Sequence, residues 1–184
     1  QLRNTRHGDD VANHLRIARY DMISITKQIC DLFVDWIAMN NVEFHINTQT
    51  SVLWVWIDRR KMEFALRVLL SNALKNTYRF GKISINISVV RSNGKAYCSF
   101  SIQDDGLGES ESTRLGLKQI VDMTESSGAI FEGISSEDET GTQYTILIPL
   151  GRSHYMERAV EFIEPDGDLV KLNEMQKEEI AELI

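Results

Sequence analysis

The stretch Asp104-Asp105-Gly106-Leu107-Gly108 follows directly on a segment whose apolar residues alternate as in a β-strand. A carboxylate at a strand end can accept a hydrogen bond from an amino group such as that of adenine. Glycines let the backbone approach a ligand more closely than any side chain would allow. The same residues could also form an ordinary turn at the end of a strand, so the stretch alone leaves both interpretations open.

A second group of polar residues lies on a strongly amphipathic segment further upstream. Asn72 and Asn76 stand four residues apart, with Lys75 beside them. On a helix, this spacing places both carboxamides on one flank of the apolar stripe. Mg²⁺ prefers oxygen ligands and keeps several waters, so a single amide oxygen near a cation suits a magnesium–phosphate group. In the simpler alternative, Asn72 is a boundary residue and Lys75 is solvated.

Two further stretches could complete a phosphate-binding site. Leu115-Gly116-Leu117 is expected to open a helix, and helix N-termini attract phosphate. Arg114 immediately before it would add a positive charge. Gly141-Thr142 opens the last predicted strand. Close packing at Gly116 and a simple bulge at Gly141 are the alternative explanations for these glycines.

Hydrophobic periodicity predicts the elements that position these residues. A possible strand covers residues 14–18, and Asp21 is expected to cap a helix that ends near Asn40-Asn41. Strands are expected over residues 42–47 and 52–57. Asp58 should then cap the clearest helix, whose apolar residues recur at helical spacing and are listed in chain order: Met62, Ala65, Leu66, Leu69, Leu70, Ala73 and Leu74.

The second half of the chain is predicted to alternate hairpins with one helix. Residues 83–89 and 96–102 alternate in polarity around the tight-turn pair Asn93-Gly94. A helix over residues 114–126 and a hairpin joining 129–134 to 142–150 follow. This order favours an α+β fold, a two-layer α/β sandwich in which a mixed, mostly antiparallel sheet carries helices on one face.

Composition excludes several classes of function. The 184 residues are 42% hydrophobic and 26% charged, as in soluble globular domains, and no apolar run approaches a membrane span. Residues 155–184 hold nine acidic and three basic residues, a net charge of −6 out of the total of −7. The remainder is nearly neutral, which argues against nucleic-acid binding. Cys30 and Cys98 share no metal-ligand spacing and are expected to be buried, reduced thiols.

The order of the motifs carries a family resemblance. The stretches "VLLSNALKNT", "IQDDGLGES", "RLGLKQIVDM" and "GTQYTILIPL" resemble, in this order, the N box, the two glycine boxes and the closing strand of the ATP-binding catalytic domain of sensor histidine kinases. That family belongs to the superfamily of the Hsp90, gyrase and MutL ATPases, with the Bergerat-type ATP-binding fold. The resemblance spans residues 11–151. It implies residues 1–10 as the tail of an upstream dimerisation helix or a linker, and residues 152–184 as an acidic C-terminal extension or linker.

The resemblance also implies roles for individual residues. Asn72 would bind Mg²⁺, and Lys75 would contact phosphate. Asp104 would accept a hydrogen bond from the adenine amino group, with Thr142 supporting it. The remaining nucleotide-binding candidates lie around the phosphates and the base: Asn76, Gly106, Gly108, Arg114, Gly116 and Leu117. No phosphoacceptor helix is recognised, and His7, His14, His45 and His154 are expected to be ordinary residues.

Three departures from the family pattern affect this expectation. Asn76 occupies the position where the family usually has an aromatic residue, although Tyr78 and Phe80 are near. Arg114 replaces the first glycine of the second glycine box. Only residues 109–115 separate Gly108 from Gly116, where the family usually has a much longer lid over ATP. We therefore expect weak nucleotide binding that depends on Mg²⁺ and on salt.

The resemblance implies the function of a larger, homodimeric protein. The domain would transfer the γ-phosphoryl group of Mg–ATP to a histidine on an upstream dimerisation domain, and a response-regulator receiver domain would be the downstream partner. A cytoplasmic location without membrane contact is expected. Two alternatives remain open: a degenerate, lidless domain acting as a docking or regulatory module, and an ATPase of the same superfamily outside signalling.

Overall fold

The computed structural model describes residues 14–107, 111–135, 141–155 and 160–165. Within this part, the secondary structure begins with β1 (Leu15–Asp21), α1 (Met22–Asp31), α2 (Val34–Met39), β2 (Glu43–Thr48), β3 (Trp54–Ile57) and α3 (Arg59–Asn76). It continues with β4 (Lys82–Ser92), β5 (Lys95–Asp104), α4 (Glu111–Ser127), β6 (Ile130–Ser135), β7 (Thr142–Pro149), a 3₁₀ turn (Ser153–Tyr155) and β8 (Val160–Phe162).

A five-stranded sheet in the order β2-β4-β5-β7-β6 forms one layer. β2 and β4 pair in parallel, and the other neighbours are antiparallel. Ile83, Ile85 and Ile87 of β4 are buried, together with alternate residues of β5 and β7. They form one core with the apolar residues of α1, α3 and α4. The predicted two-layer α+β sandwich with helices on one face is confirmed.

Two of the predicted strands lie outside this sheet. β1 pairs antiparallel with β3 and parallel with β8, so that a separate three-stranded sheet forms in the order β3-β1-β8. Asp58, which caps α3 by accepting from the Lys61 amide, also accepts a hydrogen bond from the Arg16 amide (2.9 Å). The start of β1 is thus tied to the start of the helix that carries Asn72 and Asn76.

The helix predicted from Asp21 to residue 40 is two helices rather than one. The Asp21 carboxylate caps α1 as expected, accepting from the amides of Ile23 and Ser24. The chain leaves helical geometry at Phe33, whose side chain is fully buried, and α2 restarts at Val34. The break between the two helices thus coincides with the burial of the Phe33 ring, whereas α2 itself has no fully buried residue. The left-handed end at Asn41 (φ 52°) agrees with the prediction.

Part of the segment after residue 151 packs against the small sheet. Tyr155 is 1% exposed, lies in a cluster with Leu15 and Ile17, and donates a hydrogen bond from its hydroxyl to the Trp56 carbonyl (2.8 Å). The Arg152 guanidinium lies over the Trp56 ring at 5.1 Å. The domain limits at residues 11 and 151 stay a prediction, but these contacts tie the described part of the following segment to β1 and β3.

The composition raised two further questions, the state of the two cysteines and the presence of membrane-spanning helices. Both cysteines are buried and free, and burial raises the pKa of each thiol to about 12, which keeps them unreactive at neutral pH. Among the described residues, no helix has the length and apolar character needed to cross a bilayer.

Candidate nucleotide-binding site

Asp104 lies at the end of the central strand β5, opposite Ile83 of β4 and Thr142 of β7. It is 4% exposed. Its two carboxylate oxygens accept from different donors: the Gly106 amide reaches Oδ1 at 3.0 Å, and the Thr142 hydroxyl donates to Oδ2. The Thr142 amide is a third donor to the carboxylate, which leaves one of its roughly four acceptor positions. The carboxylate is therefore oriented by the protein and can still accept a hydrogen bond from a ligand.

Burial dominates the electrostatics of Asp104. Desolvation raises the pKa of its carboxyl above the ordinary value, and the neighbouring Asp105 charge raises it further. The hydrogen bonds from Thr142 and Gly106 act in the opposite direction, because they stabilise the ionised form. The pKa of this carboxyl is thus raised although hydrogen-bond donors contact both of its oxygens. Buried acids with a shifted pKa are typical of functional sites.

Gly106 allows the loop after β5 to contact the end of α3. A Cβ atom on Gly106 would lie 1.9 Å from the Asn76 carbonyl oxygen, so no other residue fits without moving the backbone. The Leu107 amide donates to that same carbonyl at 3.0 Å. The close approach at Gly106 is therefore between two parts of the protein. It joins the loop after Asp104 to α3, the helix that carries Asn72 and Asn76.

Gly141 joins the last strand to the same loop. Its backbone is left-handed (φ 82°), and a Cβ there would lie 2.3 Å from the Asp104 carbonyl oxygen. Its amide donates to the Gly106 carbonyl at 2.8 Å. Both the conformation and the contact require glycine, and together they hold Thr142 in register with Asp104.

Asn72 and Asn76 are both 6% exposed, although both carry polar side chains. Among the described residues, neither Nδ2 atom has a hydrogen-bond partner. Lys75, between them in sequence, is exposed in the last turn of α3. The helix therefore presents two buried amide groups with unused donors, and a cation at its surface, next to the loop that carries Asp104.

The stretch Leu115-Gly116-Leu117 lies on α4 and approaches α3 at Gly116. A Cβ on Gly116 would lie 3.1 Å from Val68 Cγ1 and 3.8 Å from Asn72 Nδ2, which brings α4 close to the buried amide. α4 begins at Glu111, so the prediction that Leu115-Gly116-Leu117 opens the helix is wrong. Gly116 lies in the second turn, where it allows close helix packing and contributes no N-terminal amide for an anion.

The other predicted residues of this region have different surroundings. Arg114 is exposed on the first turns of α4, and Leu117 is buried in the main core. Any contact of Leu117 with a nucleotide would have to come from its backbone. Gly108 lies outside the described residues.

Sequence reasoning missed the role of Gly81 and Asp105 in shaping the loops around the site. A Cβ on Gly81 would lie 2.6 Å from Thr77 Cγ2 and 2.8 Å from Asp105 Oδ1. The Asp105 carboxylate accepts from the Lys82 amide at 2.9 Å. The only local signal was a glycine directly before an alternating strand. Tyr78 and Phe80, considered as aromatic neighbours of a base, are 53% and 72% exposed.

Comparison with known proteins concerns the sequence and the fold. No family model matches the sequence. The chain is 22% identical over 172 residues to "Histidine kinase P4" of Formosa agariphila, an alignment that covers 80% of this chain and 12% of that protein. The chain therefore spans about one eighth of the length of this relative.

Solved structures share the fold. The catalytic domain of histidine kinase ThkA superposes with a TM-score of 0.64 at 20% identity, covering 73% of this chain and 96% of that domain. ThkA in complex with the response regulator TrrA matches with a TM-score of 0.61 at 18% identity, over 73% of this chain and 42% of the kinase. Full-length ShkA in complex with AMPPNP matches with a TM-score of 0.60 at 17% identity, over 73% and 31%.

The fold is thus that of the catalytic domain of sensor histidine kinases, which confirms the resemblance that the order of the motifs predicted. Asp104, Gly106, Asn76 and Thr142 lie in this fold at the junction of β5, β7 and α3. Asn72 lies four residues before Asn76 on α3, beside Gly116 of α4.

Proposed function

We propose that this chain is the ATP-binding catalytic domain of a two-component sensor histidine kinase. It would transfer the γ-phosphoryl group of ATP to a histidine on a separate domain. In this step, a histidine ring nitrogen forms a bond to the γ-phosphorus, and the bond from that phosphorus to the bridging oxygen breaks to leave ADP. The single observation that carries the proposal is the buried Asp104 carboxylate, which Thr142 and Gly106 orient with an acceptor position left for a ligand.

The base would be recognised by this carboxylate. An adenine amino group is a hydrogen-bond donor, and the ionised carboxylate of the buried Asp104 would be its acceptor. Gly106 and Gly141 support the proposal because their contacts with Asn76 and with Asp104 leave no room for side chains at the site.

The phosphates and the metal ion would lie along α3 and the start of α4. Bound Mg²⁺ would neutralise charge on the phosphate oxygens. Asn72 is buried beside Gly116, and its unused Nδ2 is a donor that could contact a phosphate oxygen. The ion would take the Oδ1 atom of the same amide, because Mg²⁺ binds oxygen. Lys75 and Arg114 are exposed cations on the two helices, and each could contact phosphate. No cluster of three or more metal-binding side chains exists among the described residues, so phosphate and water would supply most ligands.

Partners follow from the proposed reaction. A dimerisation domain with the phosphoacceptor histidine would supply the substrate, and a receiver domain would take the phosphoryl group onward. ThkA, which shares the fold, has been solved with a response regulator. The alternative of a docking module without nucleotide binding is not favoured, because the similar proteins are histidine kinases and one was solved with an ATP analogue.

Titration with a fluorescent ATP analogue, with and without Mg²⁺, tests this proposal. We expect saturable binding that ATP competes away and that weakens when Mg²⁺ is removed by chelation. Phosphotransfer is then measured by adding a separate dimerisation domain and following acid-labile label on histidine. An absence of any ATP-competable binding would contradict the proposal.

A further inference from the structure

The Asn76 side chain is a polar group that the protein itself leaves unsatisfied. It is 6% exposed, and its Nδ2 donor has no partner among the described residues. Burying a donor without an acceptor is costly, so such groups usually mark a ligand or a functional constraint. A leucine of similar shape would fill the same space without that cost.

The loop after β5 contacts both Asn76 and the Asp104 carboxylate. The Asn76 carbonyl accepts from the Leu107 amide, and Gly106, which donates to Asp104, packs directly against that carbonyl. The loop from Asp104 to Leu107 thus connects a buried acceptor to a residue with a buried, unused donor. Asp104 and Asn76 belong to different elements, β5 and α3, and the loop after Asp104 contacts the backbone carbonyl of Asn76.

We infer that Asn76 determines the specificity of the site for adenine, by donating from Nδ2 to a ring nitrogen beside the amino group that Asp104 accepts. This inference rests on the proposed function. Adenine carries acceptor nitrogens, N1 and N7, near its amino group, so a donor and an acceptor on the protein match it. Guanine has a carbonyl oxygen in place of the amino group, and the ionised Asp104 would oppose it.

The inference also explains how a base could be held without an aromatic residue at this position. A hydrogen bond from a fixed, buried amide gives orientation as well as affinity, because its geometry is narrower than that of ring stacking. A leucine at this position would keep the packing and lose the orientation. The residue would then act on base selection and leave the phosphate contacts of Asn72 and Lys75 unchanged.

The test compares the wild-type chain with Asn76→Leu in equilibrium binding of ATP, 1-deaza-ATP and 7-deaza-ATP. For the wild type, we expect one of the two analogues to bind about tenfold more weakly than ATP, as for the loss of one hydrogen bond. Asn76→Leu should bind ATP about tenfold more weakly than the wild type and should no longer distinguish that analogue from ATP.

Thermal unfolding of the ligand-free protein gives a second readout with the opposite sign. Removing an unsatisfied buried donor should raise the melting temperature by about 2–4 °C, although nucleotide affinity falls. The matched control is Asn86→Leu, because Asn86 has a partner, the Asn47 amide at 3.0 Å, and lies on β4 away from the site. This control should leave nucleotide affinity unchanged and should not raise the melting temperature.

The outcomes separate this inference from the proposed function. If wild-type binding depends on Asp104 but Asn76→Leu keeps the affinity and the discrimination between analogues, the inference falls and the proposed function stands. A lower melting temperature of Asn76→Leu would assign the amide a structural partner and would also overturn the inference. If the wild type binds no ATP, both fall.

Discussion

Replacing Asp104 by Asn removes one charge from the site and keeps the shape of the side chain. The Gly106 amide can still donate to the remaining carbonyl oxygen, and the Thr142 hydroxyl can reverse and accept from the new NH₂ group. These two internal hydrogen bonds therefore survive in a neutral form, and the Thr142 amide is a third donor to this side chain. We expect the variant to fold, because desolvation that opposes the ionised carboxyl no longer applies.

The effect on nucleotide binding should be large. A charge-assisted hydrogen bond contributes about 1.5–3 kcal/mol, which corresponds to a loss of roughly ten- to a hundredfold in affinity. The carboxamide also turns a donor toward the amino group of the base. Calorimetric titration with Mg–ATP measures the change, and circular dichroism checks the fold of the variant.

Asp105→Asn is the matched control. It removes the same formal charge one residue away, from a carboxylate that is exposed and accepts only from the Lys82 amide in the described structure. If Asp104 acts by a directed hydrogen bond, the control should lose little affinity or gain some. Equal losses in both variants, or unchanged affinity in folded Asp104→Asn, would refute the assignment.

Three further expectations concern pH, salt and the segment after residue 151. The folded-state pKa of Asp104 is raised, so its contribution to stability is present below the ordinary carboxyl pKa near pH 4 and is lost as pH rises through the folded-state pKa. Urea unfolding between about pH 4 and pH 7 should therefore show that Asp104→Asn gains stability relative to the wild type as pH rises. Calorimetry should find that Mg–ATP binds weakly and that its affinity falls further as salt is raised from about 0.01 M to about 0.15 M. Salt screens the attraction of Lys75 and Arg114 for the phosphates. Tight binding that does not change with salt would contradict this expectation. Truncation after Gly151 should leave the main core folded but lower the free energy of unfolding by about 3 kcal/mol or more in urea, and Tyr155→Ala should do the same. Both changes expose the cluster that Tyr155 forms with Leu15 and Ile17 of β1. An unchanged unfolding midpoint would show that the segment does not stabilise the domain.

Much of the local structure could be predicted because periodicity and capping are properties of neighbouring residues. The alternation in β4 and β5, the turn at Asn93-Gly94 and the Asp58 cap of α3 are all present. So is the placement of Asn72 and Asn76 on one helix, four residues apart. The break at Phe33 was missed because burial of that ring depends on elements distant in sequence.

The sequence by itself determined the elements, their order and the residue types that a nucleotide site would need. Only the tertiary structure decided which of them meet. Thr142 bonds to Asp104 from 38 positions away, and Gly106 packs on the Asn76 carbonyl, which explains the glycine by a contact that spacing alone cannot show. The tertiary structure likewise places β1 outside the main sheet, where it pairs with β3 on one side and with β8 on the other. Side-chain periodicity is local, whereas strand pairing and close backbone approach depend on how the whole core packs.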